Sequence, residues 1–241
     1  MSVPFPLSYP EGVLRRALLV FADAIQVDLA RRALPDAARP LFSFGTLGRD
    51  VPAAVDIHFF TSDNGAAAAS GASVHRQAGP SFAARFENAI ETLALLGYDE
   101  VAAIGRDCPA LRADDIERAF AELKSSKLVL GPDHRGGCYL IAFRSRDRAL
   151  LRGIRWKQNT DCAQLRQRGG AAQVFLLPVK HDLDSWSDLR LFAHSHEPLA
   201  RLAAFVLRVV TLTSVRLVQF VSIVSQRIRI RQQIPPPAFA A

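Results

Sequence analysis

Three aspartates carry the clearest chemistry in this 241-residue chain. Asp107 stands in IGRDCPAL, just after the apolar run EVAAIG (100–105); Asp182 and Asp184 stand in HDLDSWSDL, after QVFLLP (173–178). In open α/β sheets, ligands sit beyond the carboxyl ends of strands. Pro109 restricts Cys108 to extended backbone and so stiffens the turn that holds Asp107. Asp182 and Asp184 are two apart and share a face if their segment is extended. Carboxylates placed this way can hold Mg²⁺ or Mn²⁺, which in turn bridges the phosphates of a nucleotide. The plainer alternative makes Asp107 a cap of the following turn. Asp188 reads as a surface or first-turn acid that suits a helix dipole.

Between the two acidic loops lies GPDHRGGCYLIAF (131–143). The paired Gly136 and Gly137 permit positive φ and let a ligand approach the backbone, whose N–H groups can receive phosphate or sugar oxygens; an ordinary hairpin connection is the rival reading. Cys108, Cys138 and Cys162 all fall near these loops, with His134 and His181 close in sequence. A zinc site is conceivable from them, but no Cys-x-x-Cys spacing supports it, and small thiols packed beneath a pocket are the preferred reading. Trp156 and Trp186 flank the same segments, either as stacking surfaces or as core anchors.

These loops need a sheet to hold them. Short apolar runs at 17–21, 56–62, 100–105, 127–131, 138–143 and 173–178 read as strands, alternating with helical patterns at 81–97 and 113–124. That alternation is the signature of a layered α/β protein. Segment 63–72, DNGAAAASGA, reads as a loop. The net charge of +7 suggests a polyanion partner, but its distribution argues otherwise. Six of the 30 basic residues lie beyond Pro198, where there is no acid, leaving 24 bases against 23 acids before it. The main domain, 1–197, is therefore nearly neutral and not a nucleic-acid binder. Three cysteines and a start without a charged n-region or apolar core favour a reducing, cytoplasmic setting.

Residues 198–241 form a basic, apolar tail. At 100° per residue, Arg201, Arg208, Arg216, Gln219 and Gln226 fall on one stripe. Arginines inside the apolar stretch make a membrane span costly. An interfacial helix, contacting lipid or a second copy through 199–231, is one reading, and packing against the domain is the other.

From about Ser73 to Phe192 the chain resembles the GT-A-type nucleotide-diphospho-sugar transferase superfamily. The similarity is to a bacterial glycosyltransferase-like branch related to 2-phospholactate guanylyltransferase and to the molybdenum-cofactor guanylyltransferases. It rests, in order, on HRQAGPSFAARFENAI, IGRDCPAL, VLGPDHRGGCYLIAF, GIRWKQNTDCAQL and LLPVKHDLDSWSDL. The resemblance implies a Rossmann-like three-layer α/β/α sandwich with a mixed, mostly parallel sheet. It implies Asp107, Asp182 and Asp184 as catalytic metal ligands, with the loop carrying Arg135, Gly136 and Gly137 and the run Asn159-Thr160-Asp161 facing the second substrate. Two departures stand out. The family's opening loop, with Pro, Gly and a Lys-Thr-Arg-Leu sequence, is replaced by ADAIQVDLARRAL. Arg31 and Arg32 there read as solvated helix arginines, with a stand-in for the basic pair as the alternative. The family's acid before the paired glycines is Arg135.

The expectation is a Mg²⁺- or Mn²⁺-dependent glycosyl- or nucleotidyltransferase acting on a nucleotide or nucleotide sugar and an unknown acceptor. His134 and Asp161 are general-base candidates by position only. The alternative is a catalytically silent relative that keeps the sheet as a binding or scaffolding module, held at a membrane through its tail.

Overall fold

Most of the apolar runs become strands because both of their faces are buried, as central strands covered by helices must be; the edge run at 174–176 is only partly buried. The computed structural model describes residues 14–42, 50–62, 72–197 and 199–210. Its sheet has seven strands: β1 (Arg16–Phe21), β2 (Val55–Thr61), β3 (Ser73–Arg76), β4 (Glu100–Ile104), β5 (Leu128–Pro132), β6 (Cys138–Arg144) and β7 (Val174–Leu176). Their order is β3-β2-β1-β4-β6-β5-β7. All pairings are parallel except those of β6, which runs antiparallel to both β4 and β5. The α/β sandwich with a mixed, mostly parallel sheet is as expected. Strand β3, SVHR, is the strand that the apolar pattern misses, because it is a short edge strand with little to bury.

Alternate residues feed the two faces. Leu19 and Phe21 of β1 pack with Phe86, Ile90 and Leu93 of helix α2 (Phe82–Leu95). Leu18 and Val20 pack with Ile116, Ala119 and Phe120 of helix α3 (Ala113–Glu122). Ser81 caps α2 by accepting the Ala84 N–H, as its type and position require. The segment 131–143 is indeed a hairpin connection, with β5 and β6 paired around it.

Three further helices gather at the strand ends: α1 (Ile25–Arg31), α4 (Asp161–Gly169) and α5 (Trp186–Ala193). A third apolar cluster binds two of them together. Leu29 of α1 and Leu189 and Phe192 of α5 meet Phe42, Ala110, Leu183 and the buried Ala203 and Val206 of the helix at 200–210. The start of the tail thus lies against the domain, while Phe205 stays exposed. The rest of 199–231, and the 63–71 part of the expected loop, lie outside the described residues. Among the described residues no helix is long and apolar enough to cross a membrane.

Candidate active site

Strand order reverses direction at β1 and β4, and a cleft must open between the loops that leave their carboxyl ends. A cavity of about 350 Å³ lies there, within the range of small-molecule sites. Asp107, Asp182 and Asp184 all line it, together with Gly137, Asn159 and Asp161. Gly136 and Thr160 instead face a shallower groove next to it, shared through Asn159.

The two acidic loops are joined backbone to backbone. The Leu183 N–H donates to the Asp107 carbonyl at 2.7 Å, while the Leu183 side chain is fully buried in the third cluster. That anchor sets Asp182 and Asp184 on either side of it, beside Asp107. Asp107 itself folds back over Gly105, where a Cβ would collide with Oδ1.

Asp188 holds the second loop from behind. It sits in the first turn of α5, as its spacing suggests, but it is buried rather than at the surface. Its carboxylate accepts the Ser185 hydroxyl at 2.8 Å and the Asp184 N–H at 3.0 Å. Arg135 lies on it with Nη2 2.5 Å from both oxygens. Burial works against ionisation of Asp188, but Ser185 and Arg135 outweigh it and hold the carboxyl below its usual range. Arg135 therefore spends Nη2 on Asp188, keeps Nη1 3.5 Å from Asp184 Oδ2, and does not line the cavity.

The 133–137 turn presents a different acid. Asp133 Oδ1 accepts the N–H of Arg135 at 2.6 Å and of Gly137 at 2.9 Å, and its side chain reaches the cavity. Gly136 has φ of 101°, a conformation suited to glycine, and a Cβ on it would strike the Asn159 carbonyl. The Gly136 carbonyl in turn accepts the Cys162 N–H at 3.2 Å, tying this turn to the start of α4. Lys157 and Asn159 both hold positive φ, 61° and 56°. Such conformations are uncommon for side-chain-bearing residues and are held here by the contacts around them.

The expected solvated pair Arg31 and Arg32 needs correction. Arg31 is half exposed and pairs with Asp23, but Arg32 is only 12% exposed and enters the cavity. Its Nη2 is 2.6 Å from Asp107 Oδ2, its Nε 3.2 Å from Asp184 Oδ1, and its Nη1 3.1 Å from Asp28 Oδ1. The physical reason is that α1 starts at once after β1, so its last turn swings over the strand ends. Three carboxylates then outweigh burial and keep Arg32 charged.

Cations and aromatics complete the lining. Arg106 donates to the Asp23 carbonyl. Arg85 donates to Gln77 Oε1 at 3.0 Å, and Gln77 Nε2 donates to the Ala22 and Phe60 carbonyls at 3.2 and 3.0 Å. Phe21, Phe82, Phe86 and Trp156 form an apolar wall, with Trp156 edge-on to Phe86. Trp186 lies against the third cluster instead. His134 packs on His181 at 4.4 Å between ring centroids, with Nε2 3.5 Å from Asp188.

Burial, and then the charges of Asp107, Asp133 and Asp184, pushes the Asp182 carboxyl well above its usual range. Its Oδ1 is buried with no hydrogen-bond partner. Burial likewise raises Asp184, Asp28 and Asp161. All three cysteines are free thiols: Cys108, also raised by burial, is hydrogen-bonded with Asp182, and Cys138 with Cys162. Among the described residues no three His, Cys, Asp or Glu side chains are drawn closely enough together to hold a metal as they stand.

Residues that sequence reasoning missed outnumber those it found: Asp23, Asp28, Arg32, Gln77, Arg85, Arg106 and Asp133 all line the cavity. Asp133 was findable, since it sits one residue after β5 beside the paired glycines. Gln77, Arg85 and Arg106 stand inside HRQAGPSFAARFENAI and IGRDCPAL, where nothing local singles them out, and Asp23, Asp28 and Arg32 come from the loop and short helix after β1.

Residues 47–158 match the sequence model of a family described as "Uncharacterized protein conserved in bacteria (DUF2064)". No curated protein matches the chain. In fold, it is similar to a candidate nucleotide-diphospho-sugar transferase from Desulfovibrio desulfuricans G20, with 22% identity and TM-score 0.67 over 81% of this chain and 95% of that one. It is also similar to Rv0371c from Mycobacterium tuberculosis H37Rv, with 17% identity and TM-score 0.55 over 75% and 99%. A cytidylyltransferase from Leptospira borgpetersenii serovar Hardjo-bovis gives 14% identity and TM-score 0.52 over 84% and 96%. The family match thus covers residues 47–158, and the α/β fold is similar to that of these solved structures.

Proposed function

We propose that the chain is a transferase acting on a nucleotide or nucleotide sugar, with the cavity between β1 and β4 as its active site. The observation that carries this reading is the composition of that cavity at the switch point of the sheet. Arg31, Arg32, Arg85, Arg106 and Lys157 line it alongside the aspartates, and an aromatic wall closes one side. Cations and aromatics suit phosphates and a ring system respectively. The fold relatives named above as nucleotide-diphospho-sugar transferase and cytidylyltransferase support the same class.

Divalent metal fits the donor chemistry, since Asp182 keeps a buried carboxylate oxygen without a partner next to Asp107 and Asp184. In this reading Asp107, Asp182 and Asp184 hold Mg²⁺ or Mn²⁺. Such an ion, when bound, neutralises charge on the leaving phosphate. Arg106 and Lys157 bind phosphate oxygens, and the wall of Phe82 and Trp156 orients the ring and excludes water. Asn159 and Asp161 face the acceptor, with Asp161, whose carboxyl burial raises above its usual range, as the group that takes the acceptor's proton. An acceptor oxygen then attacks either at phosphorus, with pyrophosphate leaving, or at an anomeric carbon, with the nucleoside diphosphate leaving.

A second reading, a catalytically silent binding or scaffolding protein, draws on the neutralisation of Asp107 and Asp184 by Arg32 and on the loss of Arg135 to Asp188. Calorimetric titration of the full chain with a panel of nucleotides and nucleotide sugars, with and without Mn²⁺, decides between them. Binding that is lost in Asp107→Asn supports the transferase site. No binding by folded wild type rejects it and leaves the silent reading.

A further inference from the structure

The carboxylates that a divalent cation needs are already served by a positive charge belonging to the chain. One guanidinium, Arg32, spans Asp107 at 2.6 Å and Asp184 at 3.2 Å while holding Asp28 at 3.1 Å. Neighbouring Asp182, 6% exposed, keeps a buried Oδ1 with no hydrogen-bond partner. It is a donor that Arg32 leaves unserved. A divalent ion placed among these acids would share Asp107 and Asp184 with the guanidinium and be repelled by it. Cation and arginine are therefore alternatives.

Arginine can leave. Arg32 is the residue that ends α1, and its backbone belongs to no strand. Its side chain can swing without unfolding anything, and its guanidinium matches a phosphate bidentately as it does a carboxylate. Resting on the reading of this cavity as a phosphate site, we infer that Arg32 is a displaceable internal cation. It bars Mg²⁺ or Mn²⁺ from Asp107 and Asp184 until a phosphate-bearing ligand draws it away. Metal binding is then conditional on ligand binding, and by linkage the metal tightens the ligand by the same factor.

The test uses Mn²⁺ alone on the full chain, followed by loss of the free-ion electron paramagnetic resonance signal. Wild type is expected to show no saturable binding below about 1 mM. Arg32→Met is expected to bind at least about tenfold more tightly, within the span of ordinary coupling energies. Adding Asp182→Asn to Arg32→Met removes that gain. Arg32→Lys keeps a positive charge for folding but cannot span two carboxylates, so it gains a smaller increment and keeps the test alive if the Met variant does not fold. Equal Mn²⁺ affinity in wild type and both variants overturns the inference. That failure is separable from failure of the transferase reading: nucleotide binding with unchanged Mn²⁺ affinity sinks this proposal alone. A gain in Mn²⁺ affinity without any nucleotide binding sinks the transferase reading and leaves the exclusion of metal by Arg32 standing.

Discussion

Arg32 and Asp107 are 75 residues apart in the chain and 2.6 Å apart in space. The contact joins the loop after β1 to the loop after β4, the two loops that flank the reversal of strand order. Whatever binds in this cavity meets that ion pair.

Gly105→Ala places a Cβ against Asp107 Oδ1. The carboxylate must turn away, although the strand before it is unchanged. Nucleotide affinity is expected to fall by a factor of about 10 to 100, the scale of a displacement of about 1 Å at a reacting group. Calorimetry measures the affinity, and a thermal melt checks that the fold survives.

Gly136→Ala meets both a positive φ and the Asn159 carbonyl. Destabilisation of about 2 kcal/mol or more is expected from the strain and the collision together. Urea unfolding measures it; a loss under about 0.5 kcal/mol, the range of neutral surface changes, would mean that the turn relaxes freely.

Arg135→Ala leaves Asp188, a buried carboxylate, without its bidentate partner. Breaking a buried pair costs about 3–5 kcal/mol, but Arg135 is 31% exposed and solvent reduces this to about 2 kcal/mol. Arg135→Ala with Asp188→Asn should cost less than the sum of the single changes. If Arg135 served an acceptor instead, the single change would lower ligand affinity and leave stability unmoved.

A buried polar chain makes stability depend on pH. The Tyr98 hydroxyl donates to Asp56 at 2.7 Å, so it accepts from His58 Nε2 at 2.8 Å, and His58 Nδ1 accepts from His75 Nε2 at 2.8 Å. This order of donors requires a neutral His58. Burial, with His75 adding to it, pushes its pKa down to about 4. The unfolded chain takes up a proton near pH 6.5 and the folded one does not, so stability falls as pH drops from about 7 towards 4. Between pH 7.5 and 5 the loss is about 2 kcal/mol from this residue. Urea unfolding at both pH values measures it; His75, also lowered by burial, adds to the fall, and His58→Gln should reduce the difference.

The sheet was legible because burial on both faces demands continuous apolar runs, and such runs are local. EVAAIG and CYLIAF name their strands without reference to anything distant. Strand β3 escaped because an edge strand of four residues buries little. Helix α2 was legible from Phe82, Phe86, Ile90, Leu93 and Leu96 at helical spacing, with Gly97 as its stop. Helix α1 was legible only as the helix that carries Arg31 and Arg32; its bounds were not, because IQVDLAR is seven residues long and lacks a side-chain cap.

For the site, sequence alone determined that Asp107, Asp182 and Asp184 stand just past strand ends, since strand ends and acids are both local features. Whether those acids are free or already neutralised was decided by tertiary structure. Arg31 and Arg32 are adjacent and identical in type, yet one is half exposed and the other lies among three carboxylates. Helix α1 makes that difference by turning neighbouring residues about 100° apart and by crossing over the ends of the strands. Charge is a property of the residue, but its partner is a property of the fold, because ion pairs form between whichever side chains the packing of the backbone brings within reach.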